Sequence, residues 1–206
     1  MNAVYSIGHS NHAMDRFIAL LREHGVGVLV DVRSNPYSRM RHFGRERLAG
    51  SLSHSGVRYG WLGEQLGARR TESECHVDGR PDCRRILALA AFRTGIDRLL
   101  TGAEAYVIAI MCAEREPLDC HRTVLVCRAL RRRGVRIRHI LYDGSIEEHE
   151  DTENRLLGLL GHAPGLFRAA DPPALVEEAY TARWEMMTSG ISQREASEGL
   201  RIGRFA

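Results

Sequence analysis

The sequence predicts an α/β domain, a mostly parallel central sheet flanked by helices in three layers (α/β/α, Rossmann-like), with a helical C-terminal extension. Three observations carry that expectation. Short apolar runs at Val4–Ile7, Val28–Val32 and Tyr106–Met111 read as buried strands. Each run ends in a polar loop, and residues at helical spacing follow the first and third loops. The first strand, first helix and second strand together have the length of a parallel, right-handed crossover.

In chain order, Val4–Ile7 leads into the loop Gly8-His9-Ser10-Asn11. Met14, Phe17, Ile18 and Leu21 then mark a helix over 13–24 that Gly25 ends. The β-branched run Val28–Val32 is the second strand, and the loop Arg33-Ser34-Asn35-Pro36 leaves it. Arg45–Leu52 reads as a short helix, Val57–Tyr59 as a short strand, and the stretch around Trp61 as a loop with one helical turn. Residues 68–80 are the most loop-like. Pro81–Leu100 reads as one long helix with Ile86, Leu89, Ile96 and Leu99 on its apolar side. Tyr106–Met111 is the central strand, followed by a helix starting near Asp119. Gly134 stops that helix, and Arg136–Leu141 alternates Arg with apolar residues, as a strand near a sheet edge does. From 151 the extension begins: a helix around 153–161, a Pro/Gly-containing link at 163–173, a helix over 174–188, and a tail of weak periodicity. Residues 1–150 form the α/β domain and 151–206 the extension packed on it, its last residues mobile or packed against a second subunit.

Composition narrows the functional classes. The chain has 206 residues, 44% hydrophobic and 27% charged, enough for one domain with a substantial core. No apolar run approaches a bilayer span of roughly 20 residues. The N-terminus has no basic region followed by an apolar stretch, so residence in the cytoplasm is the expectation. The net charge of +3 is modest, and every basic residue is Arg. Strong nucleic-acid binding would usually leave a larger basic excess. Five cysteines are an odd number, so a disulfide framework is a poor reading. Cys127 reads as a small core residue. Cys75, His76 and Cys83 flank a turn-rich loop whose spacing matches no familiar zinc pattern.

Chemistry concentrates in the loop after the central strand, MCAEREPLDCHR at 111–122. Cys120 stands before His121 and Arg122 at a helix start, where helix dipole and guanidinium favour thiolate. Cys112, at the strand end, is the competing nucleophile, and the two could serve as attacking and resolving thiols. Glu114 is the candidate general acid/base. Adjacent residues on a helix do not face one another, so His9 competes with His121 as the base. Parallel strands bring the three loops to one edge. There Arg33, Arg39 and Arg122 would hold an anion, and Ser10, Asn11, Ser34 and Asn35 would supply neutral donors. Asp31 completes the binding set; its plainer role is to pair with Arg33 or cap a helix.

The motifs GHSN at 8–11, LVDVRSNPYSR at 29–39, YGWLGEQLG, MCAEREPLDCHR and RHIL at 138–141 together resemble the family called domain of unknown function 488. The resemblance spans roughly 4–145 and departs at Ala68, where it leads one to expect a second glycine after Gly67. It implies an α/β domain with these motifs gathered at one site, and no reaction.

Three functions fit the residues. The first is a thiol-dependent hydrolase or transferase acting on a small anionic substrate, phosphate- or nucleobase-containing, with no cofactor required. The second is a zinc- or iron-dependent enzyme using Cys112, Glu114, Cys120 and His121, with His9 nearby, a mixed sulfur, nitrogen and oxygen donor set. The third is a non-catalytic nucleotide- or nucleic-acid-binding module using RRRGVRIR at 131–138. The plainer reading of those arginines is a solvated helix end. A membrane partner is not expected; a homodimer is compatible with the tail.

Overall fold

The structure is a computed structural model that describes residues 2–161 and 172–202. Its strands are β1 (Val4–Gly8), β2 (Val28–Asp31), β3 (Arg58–Trp61), β4 (His76–Val77), β5 (Arg80–Pro81), β6 (Ile108–Cys112), β7 (Ile137–Ile140) and β8 (Ile146–Glu148). Its α-helices are α1 (Met14–Glu23), α2 (Arg45–His54), α3 (Gly63–Leu66), α4 (Cys83–Ala88), α5 (Ala90–Ala105), α6 (Arg128–Arg132), α7 (His149–Leu159) and α8 (Pro172–Ile202). The main sheet has the order β3-β2-β6-β1-β7-β8; β4 and β5 form a separate hairpin. The first five strands of that order are parallel, and β8 runs antiparallel to β7.

Alternation along the strands feeds two cores, one on each sheet face. Ile7, Leu29 and Met111 pack with Phe17, Leu21, Phe43 and Leu48 under α1 and α2. Val4, Val30 and Ile110 pack with Ile96, Leu99, Val124 and Leu156 under the later helices. The helix after β1 therefore covers one face and the helical segment after β6 the other. The direction of chain travel reverses between these two neighbouring strands, which opens a crevice at their carboxyl ends. The register there pairs Gly8 with Cys112 and Asp31 with Met111.

Four elements differ from the sequence reading. The long helix expected over 81–100 is two helices, because Leu89 is extended (φ −57°, ψ 137°) and lets α4 lie against α8 while α5 packs on α3. Helix propensity is high throughout this stretch, so tertiary packing sets the break. The helix expected from Asp119 starts as a 3-10 turn at Pro117–Asp119, then continues as a π-helical segment over Arg122–Cys127 before α6. π-helical turns often mark functional positions because they rotate side chains out of the regular ladder. Strand β8 had no pattern to announce it. A turn in which Asp143 Oδ1 accepts from Ser145 N at 2.9 Å, with Gly144 at φ +100°, sets its register, and Glu148 then takes Arg136 and Arg138 across the pair. The backbone of α8 continues helical to Ile202, through the stretch of weak periodicity. The link expected at 163–173 falls almost wholly outside the described residues, as do the last four.

The C-terminal helix docks through polar anchors. Trp184 Nε1 donates to Pro81 O at 2.7 Å, and Arg128 Nε donates to Glu177 Oε2 at 2.8 Å. Among the described residues, no helix is long and apolar enough to cross a membrane.

Candidate metal centre

Two polar clusters flank the β1/β6 crevice, one on each sheet face. The first grows from the end of β6. Cys112 ends that strand, and the 3-10 turn and helix start bring Cys120 and His121 back over it. Cys112, Cys120, His121 and Glu114 offer four ligand atoms that all lie within 4.8 Å of one another. Cys120 Sγ is 2.9 Å from Glu114 Oε2. His121 Nδ1 is 3.5 Å from Cys112 Sγ and 4.0 Å from Cys120 Sγ. His121 Nε2 lies 3.0 Å from Val32 O. A carbonyl only accepts, so Nε2 carries the proton and Nδ1 of the neutral ring turns its lone pair toward the sulfurs. Both sulfurs are buried, whereas Glu114 is exposed as a residue with its carboxylate turned inward onto Cys120.

Electrostatics at this point are strained. Burial raises Cys112 well above the usual thiol range, and the neighbouring Cys120 sulfur adds to that. Burial also pushes Cys120 up, but the Cys112 thiol donating to it, the Arg122 guanidinium and His121 together bring it well below. Burial and the Cys120 charge raise Glu114. Burial alone would lower His121, yet its contact with Cys120 raises it. Three acidic groups thus meet here, Cys112 and Glu114 held above their ordinary ranges and Cys120 below its own.

Arg122 is fully buried and has no carboxylate within ion-pair distance among the described residues. It holds the loop above the sulfurs: Nη1 donates to Glu114 O at 2.7 Å, Nη2 to Arg115 O at 3.4 Å, and its backbone N to Cys120 Sγ at 3.4 Å. The same loop is fixed from β1. Ser10 N donates to Ala113 O at 2.9 Å, and a Cβ on Gly8 would overlap the Glu114 carbonyl.

The second cluster sits on the other face. Arg33 Nε and Nη2 donate to Asp31 Oδ1 and Oδ2 at 2.9 and 2.6 Å, Nη2 also to Phe43 O at 2.9 Å, and Nη1 to His9 Nε2 at 3.3 Å. Tyr59 Oη donates to Asp31 Oδ2 at 2.9 Å. His9 gives its Nδ1 proton to Ser10 O at 2.9 Å and stacks on Phe43, with burial holding its pKa at about 4. Both nitrogens of His9 are spent, and no hydrogen bond joins it to either sulfur. Its role is to brace Arg33. The plainer reading of Asp31 and Arg33, a mutual pair, is the one the geometry gives.

The remaining sequence candidates scatter. Ser34 Oγ accepts from Arg69 N at 2.9 Å. Asn35 and Arg39 are exposed on the loop after β2, and Asn11 is exposed beside Ser10. Ser10 has φ +45°, a conformation a non-glycine residue adopts only under constraint, here from its bond to Ala113. Cys75 and Cys83 are buried core thiols, and His76 bonds Glu72 O, so these three form no ligand group.

Residues outside the sequence reading also matter. Ser6 accepts from Arg122 Nε at 3.4 Å and lies 2.6 Å from His139 Nδ1. His139 Nε2 is 2.9 Å from His149 Nδ1, and His149 Nε2 is 3.0 Å from Tyr180 Oη, which donates to Glu153 Oε1 at 3.2 Å. One hydroxyl has one proton, so every bond in this chain runs the same way, from Arg122 out to Glu153. These three side chains come from different elements, and although His139 falls within RHIL, nothing in the sequence links it to His149 and Tyr180. Cys127 adjoins the two histidines, but both rings have their nitrogens already partnered.

No curated protein and no solved structure matches the chain. A family model described as "Domain of unknown function DUF488" matches residues 13–129, a span that takes in Asp31, Arg33 and the whole sulfur cluster but not His9. That span is more than half of the chain, which therefore belongs to the DUF488 family.

Proposed function

We propose that this protein is a metal-dependent enzyme whose centre is Cys112, Cys120, His121 and Glu114, acting on a small anionic substrate. The observation that carries the reading is the convergence of those four donor atoms within 4.8 Å, with His121 oriented by Val32 O. A metal-ligating histidine characteristically gives its other N–H to a carbonyl or carboxylate, which fixes the tautomer. Two thiolates, one imidazole and one carboxylate form a donor set typical of zinc, with ferrous iron the alternative. A dication resolves the crowding of acidic groups. Two thiolates and a carboxylate on a dication leave one net negative charge, and buried Arg122 supplies its counter-charge.

Glu114 reaches the centre from an exposed position, so it is the ligand that can yield to substrate. A metal with one exchangeable position acts as a Lewis acid. The switch-point crevice between β1 and β6 is where such a substrate would enter.

The test is metal analysis of purified protein, then titration of stripped protein with zinc and ferrous iron. About one ion per chain is expected, as for a mononuclear site. Cys120→Ser should lose most of it, and Glu114→Gln should keep it with altered cobalt-substituted absorption. Protein that neither arrives with metal nor takes it up in vitro overturns the proposal.

A second reading, a metal-free thiol enzyme with Cys120 as nucleophile, draws on the depressed Cys120 pKa. It requires fast alkylation of stripped protein at neutral pH, unaffected by zinc. The sulfur's burial weighs against it. Nucleic-acid binding has less support: Arg131, Arg132, Arg133, Arg136 and Arg138 are ion-paired with Glu150, Glu177, Asp97 and Glu148.

A further inference from the structure

The arginines expected to hold an anion are not free to do so. Arg33 spends its donors on Asp31, Phe43, Tyr37 and His9, and Arg122 on Glu114, Arg115 and Ser6. A different guanidinium stands at the mouth of the crevice. Arg115 follows Glu114 directly, is exposed, and sits over the Tyr142 ring with its Cζ 3.8 Å from the centroid. Among the described residues it makes no ion pair and donates no side-chain hydrogen bond. Eleven other arginines pair with carboxylates among the described residues, but Arg22, Arg39, Arg45 and Arg58 also do not, so what singles out Arg115 is its place beside the candidate centre.

Its placement is built rather than incidental. The backbone at 113–115 is tied by Ser10 N and by both terminal nitrogens of Arg122. Tyr142 is itself stacked on His12, with ring centroids 4.2 Å apart at 16°. His12 is buried, and its Nε2 has no hydrogen-bond partner. The nearby acid, Asp143, accepts from both the backbone N and the hydroxyl of Ser145 at 2.9 and 2.7 Å. A guanidinium stacked by its face keeps its edge donors available, and that edge matches an oxyanion bidentately.

We propose that Arg115, seated on the Tyr142–His12 stack, is the oxyanion-binding subsite of this protein and takes the phosphoryl group of its substrate. The proposal rests on the metal reading only in placing the phosphoryl group beside Glu114; the anion contact itself needs no metal.

The experiment is calorimetric titration of inorganic phosphate into the full-length protein, both stripped and zinc-loaded, for the parent and four variants. Arg115→Gln should weaken binding roughly tenfold to a hundredfold, the range of a lost charged hydrogen-bonding pair. Arg115→Lys should recover only part of it, because an ammonium neither stacks nor forks. Tyr142→Leu should weaken binding by removing the platform, and Tyr142→Phe should leave it close to parent. Arg115 is exposed, so its variants should keep the parental thermal midpoint. Phosphate affinity unchanged by Arg115→Gln, or absent from the parent in both states, overturns the subsite. Arg115-dependent phosphate binding in a protein that takes up no metal would sustain the subsite and reject the metal centre; stoichiometric metal with no phosphate affinity would do the reverse.

Discussion

Arg122 is a guanidinium in the interior, and it is positioned where the loop carrying Glu114 and Arg115 closes over Cys112 and Cys120. Removing a buried charge from water costs several kcal/mol per ion unless charge and hydrogen bonds offset it. Three carbonyl or hydroxyl acceptors do part of that, and the Cys120 sulfur beside its backbone nitrogen, held below the ordinary thiol range, adds to it. Arg122→Met should therefore destabilise the protein by roughly 3–5 kcal/mol, the range for breaking a buried charge arrangement on one side. Urea unfolding measures this. A loss below about 1 kcal/mol, the net worth of one ordinary hydrogen bond, would mean that Arg122 holds nothing together.

At the scale of elements, the site depends on two loops from adjacent strands running in backbone contact. His9 N donates to Cys112 O and Ser10 N to Ala113 O, both at 2.9 Å. Gly8 is the residue that permits this, since a Cβ there would meet the Glu114 carbonyl. Gly8→Ala should push the Glu114 loop outward, cost about 1–3 kcal/mol as overpacking does, and lower metal retention more than Ser10→Gly. Thermal midpoints with and without added zinc provide the measurement. Equal zinc-dependent stabilisation of Gly8→Ala and parent would show that loop contact is irrelevant to the centre. The later helices matter in a different way: besides apolar packing, α7 and α8 reach the β1/β7 pair through the hydrogen bonds of His149, Tyr180 and His139.

For the whole molecule, that buried histidine chain ties stability to pH. Burial lowers His149 to about 4 from its ordinary 6.5, and His139 is lowered well below 6.5 as well. The unfolded chain binds a proton on His149 that the folded protein refuses between these values. Stability from this group is therefore complete above pH 6.5 and falls as the pH drops toward 4, by roughly 3 kcal/mol. Glu114 and Glu153, both raised by burial, work in the opposite direction over the acid range. Urea midpoints for parent and His149→Gln at pH 7 and 4.5 isolate the histidine: the variant should start lower and lose less. A parent and variant with parallel pH dependence would remove His149 as the cause.

The sequence by itself determined the parallel strands of the main sheet, the loops that carry polar residues and the residues of the sulfur cluster, Cys112, Glu114, Cys120 and His121. It announced neither the antiparallel β8 nor the β4–β5 hairpin. Apolar runs, helical spacing and short motifs are local, and local patterns survive in a linear string. Only the tertiary structure determined the rest. It spent Arg33 and His9 on Asp31 and Phe43, buried Arg122 as a brace, and left Arg115 free on Tyr142. The reason is physical: whether a guanidinium is a ligand-binding group or a structural one depends on which acceptors meet it in space. Ser6, His139, His149 and Tyr180 come from four different elements, and no spacing along the chain records that they touch.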